Sequence, residues 1–217
     1  DLGNNFDTSK VTDMKCMFDA CGYSSAVFTL NLGDKFDTSN VTDMSNMFGG
    51  CGRSSTVFTL DLGDKFDTAK VANMCQMFDE CGYNSNAFTA LDLSSFTLST
   101  ATSLSSFAQN MPVTTLTFGE GWANAALPAA GSETGAFYAD SQISTTVTGA
   151  TENLLNYDWA SDNRTVKFSD KTYFTISAEV GTDGGTVSGG GEVTEGESIT
   201  LTATANDGYT FDGWYDG

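Results

Sequence analysis

The sequence predicts a repeat solenoid of parallel β-strands joined by short helical or 3-10 turns, followed by a small all-β domain. Three observations predict it. The stretch "FDTSNVTDMSNMF" at residues 36–48 has near-copies, "FDTSKVTDMKCMF" and "FDTAKVANMCQMF", 30 residues before and after it. Between the copies, "VFTLNL", "VFTLDL" and "AFTALDL" alternate apolar and polar residues. After about residue 170 the composition turns to Thr-rich alternating segments joined by Gly clusters. Repetition at roughly 20–50 residues marks units that bury their apolar face only against neighbouring units.

The columns of the repeat define its core. Phe6, Phe36, Phe66 and Phe96 form one column, and Val11, Val41, Val71 and Ala101 another. Met14, Met44, Met74 and Leu104 follow, then Met17, Met47, Met77 and Phe107, then Phe18, Phe48 and Phe78. Apolar residues replace apolar ones along each column, as a continuous core requires. The alternating segments, around Phe28, Leu30 and Leu32, Phe58, Leu60 and Leu62, and Leu91 and Leu93, read as half-buried strands. One strand per repeat stacks into a parallel sheet with about 4.8 Å between strands. "LGDKF" supplies the turn after the strand. In "VTDMSNMF" the apolar residues fall at i, i+3, i+6 and i+7, which suits a short helical or 3-10 turn capped by Asp37, Thr38 or Ser39.

"LDLGDKFDTSNVTDMSNMFGGC" resembles the repeats of BspA-like bacterial surface proteins, a divergent branch of the leucine-rich repeats. The likeness is most specific over residues 1–111 and weaker to about residue 165. It departs from the family unit at an insertion, "GYSSAVF", "GRSSTVF" and "GYNSNAF". The resemblance implies a leucine-rich-repeat-like, right-handed solenoid on a bacterial surface or secreted, with an adhesive rather than catalytic role. The repeat then degrades. In "TTLTFGEGW", Leu116 and Phe118 stand for the paired leucines and Trp122 for the ladder Phe. "GAFYADSQISTTVTG" fits one irregular unit, with Phe137 in place of the ladder Phe after the helix and a strand near residues 143–147, and "NLLNYDWASDNRTVKF" fits a closing cap. The predicted boundary separates residues 1–168 from a small β domain at 169–217. "GYTFDGWYDG" resembles the divergent internalin B-repeat, whose signature falls on Gly208 to Trp214. Members of that family continue past this motif, so an incomplete sheet is expected. "DLGNNF" at residue 1 matches the middle of a repeat, so earlier repeats, a leader or an anchor are expected elsewhere.

Composition narrows the function. Nine Lys plus Arg against 28 Asp plus Glu give a net charge of −19, which repels phosphate backbones and anionic lipid heads. Nucleic acid and membrane insertion within this segment are therefore not expected, and proteins or glycans remain as partners. Histidine is absent, which removes His-based triads and zinc sites. Of the five cysteines, Cys21, Cys51 and Cys81 recur with the repeat and read as small packing residues. Met14 and Met17 around Cys16, and Met74 and Met77 around Cys75, have the softness of Cu(I) ligands. Their columns run on into Leu104 and Phe107, which do not ligate, so packing is the reading and no cofactor is expected. Asp7, Asp37 and Asp67 would stack, as would Asp13, Asp43 and Asn73. Turn capping explains them, and weak Ca2+ binding is the alternative use. Every carboxylate that can be placed lies in a repeated column, whereas catalysis needs a singular constellation, so no enzyme is expected.

Two outward surfaces are candidate binding sites. On the strands, Thr29, Thr59 and Thr89, then Asn31, Asp61 and Asp92, lie between buried residues and face outward, with Thr115 and Thr117 beyond them. In the insertion, Tyr23, Arg53 and Tyr83 share one column. A column that exchanges Tyr for Arg belongs at the surface. It can stack internally by cation–π contact or anchor a partner. The expected role is a surface-exposed or secreted adhesion or binding module. A structural stalk is the alternative, and a surface hydrolase the least favoured reading.

Overall fold

The computed structural model describes residues 6–33, 35–131, 135–181 and 183–215. It divides into two compact units, Asp1–Ser169 and Asp170–Gly217. In the first unit, β1 (Val27–Asn31) and β2 (Val57–Asp61) pair in parallel, with Leu30 opposite Leu60 and Phe28 opposite Phe58. A second parallel sheet holds β3 (Ala90–Leu93), β4 (Thr115–Phe118), β5 (Ile143–Thr148) and β6 (Arg164–Phe168) in that order. The expected single sheet is thus divided between β2 and β3. The reason is one extra residue: "AFTALDL" carries Ala90 where "VFTLDL" has none, and the following turn is one residue shorter. An extra residue interrupts strand pairing as a bulge does.

The segments that carry the Met and Phe columns are not helical, which corrects the expected helical or 3-10 turn. They are runs of turns stacked on one another. In the second repeat, the amides of Met47, Gly49, Cys51 and Arg53 close four-residue turns onto the carbonyls of Met44, Asn46, Phe48 and Gly50. The alternate amides, Met44, Asn46, Phe48 and Gly50, donate to Asn73, Cys75, Met77 and Asp79 of the next repeat at 2.8–2.9 Å. Positive φ at Asn46, Gly50 and Gly52 makes this path possible and a right-handed helix impossible. Gly52 has a second reason to be glycine: a Cβ there would lie 2.3 Å from the Phe58 ring.

The "DTS" triplet has a clear division of labour. Asp37 accepts the Ser39 amide at 2.9 Å, an Asx turn. Thr38, 1% exposed, donates its hydroxyl to the Asp67 carbonyl and accepts the Asp67 amide, tying its repeat to the next. Thr8 and Thr68 do the same with Asp37 and Thr97.

The core is a stack of rings. Phe18, Phe48 and Phe78 follow one another at 5.6 and 5.3 Å, and Phe66, Phe96 and Trp122 at 5.7 and 6.4 Å. Trp122 takes the ladder position expected of it, and its indole donates to the Leu93 carbonyl. Ala101 departs from its column: it is exposed, and Thr102 is buried instead with its hydroxyl on the Val71 carbonyl. Phe137 packs on Phe107 and Trp122, and Trp159 stacks on Phe137 at 4.9 Å to close that end. Beneath Trp159, Arg164 is 1% exposed and donates to the carbonyls of Phe137, Val113 and Met111. Burial pulls its guanidinium down to about 10. The single-turn α1 (Glu152–Leu155) lies in this terminal segment.

In the second unit, β7 (Tyr173–Ile176) pairs antiparallel with β9 (Gly191–Thr194), and β8 (Gly185–Gly189) with β10 (Leu201–Ala205). Tyr209, Phe211, Trp214 and Tyr215 are exposed beside these strands, along a groove of about 980 Å³. No helix among the described residues is long and apolar enough to cross a membrane.

Candidate binding site

The turn ladder places residues 23, 53 and 83 side by side. The Ser54 amide donates to the Tyr23 carbonyl, and the Asn84 amide to the Arg53 carbonyl, which sets the spacing of the three side chains. The Arg53 guanidinium carbon lies 5.8 Å from the Tyr23 ring centre and 5.1 Å from that of Tyr83. It is held between two aromatic faces, within the range of a cation–π contact. Arg53 Nη1 also donates to the Tyr23 hydroxyl at 3.1 Å.

Two acidic residues that the sequence did not single out complete the ridge. Glu80 accepts from Arg53 Nε at 2.6 Å and Nη2 at 3.0 Å, a two-point pairing that raises the guanidinium's proton affinity. Asp140 accepts the Tyr83 hydroxyl at 3.3 Å. Glu80 stands in a column with Ala20 and Gly50, so it is particular to the third repeat. That singularity, three residues before Tyr83, is the signal that could have revealed it. Asp140 is 57 residues from Tyr83, and no spacing rule links them. Tyr23 is 41% exposed, while Arg53 and Tyr83 are half-buried.

Asp79 lies under the ridge. Burial, followed by the charges of Glu80 and Asp140, pushes its carboxyl up to about 6, and Arg53 opposes this. One of its oxygens, Oδ1, is buried without a hydrogen-bond partner.

The strand face is assembled only in part. Thr59 donates to Thr29 at 3.0 Å and Asn31 to Asp61 at 2.8 Å, both pairs across β1 and β2. Thr89 precedes β3, and Asp92, within β3, lies opposite Thr117 of β4. Both are exposed, but they belong to the second sheet, so the six residues do not form one continuous face.

The stacked carboxylates serve turns. Asp7, Asp37 and Asp67 each accept the amide two residues on, as do Asp13, Asp43 and Asn73. Among the described residues no three Cys, Asp or Glu side chains converge as a metal-ligand set. The five thiols are free, and Cys51 and Cys81 are fully buried in the core.

No curated protein and no solved structure matches the chain. Residues 174–217 match the divergent InlB B-repeat domain. Residues 1–116, more than half of the chain, match the family described as "Mycoplasma protein of unknown function, DUF285", and the chain belongs to that family.

Proposed function

We propose that the chain is a segment of a bacterial cell-surface or secreted protein. In this reading its repeats form a leucine-rich-repeat-like solenoid of the BspA-like kind. It acts as a non-catalytic module that binds a host or microbial protein or glycan. The observation that carries this reading is the Tyr23–Arg53–Tyr83 ridge. Its side chains are ordered before any partner arrives, because Arg53 is held by two rings and Glu80. Ordering such groups in advance removes part of the entropy cost of binding, and Tyr and Arg are the residues on which interface energy concentrates. The net charge of −19 supports a neutral or basic partner over nucleic acid or an anionic membrane.

Use of the repeated Asp residues in turns favours a non-catalytic role, since their oxygens accept backbone amides. The test is an array of glycans and host surface proteins probed with the chain and with a triple variant, Tyr23→Ala, Arg53→Ala and Tyr83→Ala. Loss of the captured species in the triple variant is expected. Unchanged capture overturns the ridge as the binding site.

The structural-stalk reading has its own support. Arg53, Tyr83, Thr59 and Asn31 all donate to other residues of the same chain. An array that captures nothing, from a protein that folds and melts cooperatively, favours the stalk.

A further inference from the structure

The two carboxylates that hold the ridge both face a third. Glu80 pairs with Arg53, and Asp140 accepts the Tyr83 hydroxyl. The charged groups that act on Asp79 are Glu80 on its own turn, Asp140 from the irregular unit and Arg53 from the second repeat. The turns stacked on either side bring no further charge. They hold Gly49 and Gly50 in the second repeat, where the Gly50 amide donates to the Asp79 carbonyl, and Gln109 and Asn110 in the fourth. Ionised, Asp79 therefore stands among two like charges and one opposite charge.

Hydrogen bonding points the same way. The Glu80 amide donates to the Gln109 carbonyl at 2.9 Å, which stacks the turn of Asp79 on that of Asn110. Asp79 Oδ1 and Asn110 Oδ1, one in each turn, are the buried side-chain atoms without a hydrogen-bond partner among the described residues. Buried acceptors without donors are costly. A protonated carboxyl carries a donor of its own, whereas an ionised one has acceptors alone. The site is built for the protonated acid, in keeping with the upward push that burial gives this carboxyl.

We infer that Asp79 is a proton switch for the ridge: protonated, it lets Glu80 and Asp140 hold Arg53 and Tyr83, and ionised, it loosens them. The sign follows from the charges. Ionised Asp79 repels Glu80 and attracts Arg53, so it works against both members of that pair. It also repels Asp140, the acceptor of the Tyr83 hydroxyl. The coupling is reciprocal, so an ordered ridge in turn favours the proton on Asp79. The first two repeats lack the device, because Ala20 and Gly50 stand where the third has Glu80. A partner that docks on the ordered ridge binds more tightly in mildly acidic surroundings than at neutral pH, since less ordering is left to be done on binding. That consequence rests on the reading of the ridge as a binding site, and the switch itself does not.

The test uses the chain without a partner, so an array that captures nothing leaves its outcome readable. NMR relaxation of the Arg53 Nε–H bond is measured at pH 5 and pH 7, in the parent and in Asp79→Asn. In the parent the order parameter of this bond is expected to fall from about 0.8 at pH 5 to below about 0.6 at pH 7. Asp79→Asn is neutral at both pH values and is expected to keep the higher order parameter at each. A parent value that is equal at the two pH values, or higher at pH 7, overturns the inference. So does the same fall in the variant, which assigns the loosening to another group.

Discussion

Asp79 is a single carboxyl whose surroundings favour its protonated form. Its folded value, about 6, lies above the ordinary value of 3.8 that applies to the unfolded chain. The folded state therefore holds the proton more tightly, and stability falls as pH rises through this window. The melting temperature of the chain is expected to rise between pH 7 and pH 5, and Asp79→Asn is expected to remove that rise while increasing stability at pH 7. Thermal melts of both proteins across pH 4–8 check this. An unchanged slope in the variant would assign the effect elsewhere. Asp37 acts in the opposite sense. The hydrogen bonds of Ser39 hold its carboxyl below the usual value, so its contribution is present at neutral pH and is lost only on strong acidification. At this scale the sequence was legible where a column changed character. Tyr giving way to Arg at position 53 marked a surface position, and the structure places Arg53 between two Tyr rings. Glu80 and Asp140 were not legible, because one occurs in a single repeat and the other is brought near only by the irregular unit after residue 111.

Among the elements, the strands are legible in the sequence, while their division into two sheets and the path of the turns are not. Val41, Met44, Met47 and Phe48 point inward at a spacing that imitates one face of a helix. A ladder of stacked turns buries the same positions by a different route, with amides directed alternately within the repeat and to its neighbour. What decides between them is φ. The decisive positions include Cys16, Asn46, Gln76 and Ser106, all at positive φ, and apart from Asn these residue types give no sign of it. The break between β2 and β3 belongs to this scale as well. Deleting Ala90 and inserting Gly after Leu93 turns "AFTALDLSSF" into the spacing of "VFTLDLGDKF". The two sheets are expected to join, with new exchange protection among the amides of Thr89, Leu91 and Asp92. If those amides exchange as before, the extra residue is not the cause of the break.

For the molecule as a whole, the core was legible because each apolar column recurs at the repeat period, and only the first and fourth repeats depart from it. Phe6 and Val11 are more exposed than Phe36 and Val41, which have described repeats on both sides. Ala101 gives its place to Thr102 where the repeat begins to degrade. The cap resisted reading since Phe137, Trp159 and Arg164 follow no period. Energy in such an array is shared mainly between neighbours. Phe48 touches rings on both sides, Phe18 and Phe78, and Phe66 as well. Phe48→Ala is expected to cost about 3–5 kcal/mol in urea unfolding, as truncated core rings do. Phe6→Ala should cost far less, and equal losses at the two sites would contradict a core that deepens away from the first repeat.

The alternating amides of the turn ladder have a mechanical consequence. Half of them point from one repeat to the next, so tension applied along the stack loads those bonds lengthwise, a few at a time. A strand sheared against its neighbour would resist with all its bonds at once. Under tension the stack should therefore come apart one repeat after another, each releasing roughly 100 Å of slack at about 3.4 Å per residue. The three 30-residue repeats would therefore lengthen the chain in equal steps, and the irregular units after Phe96 in unequal ones.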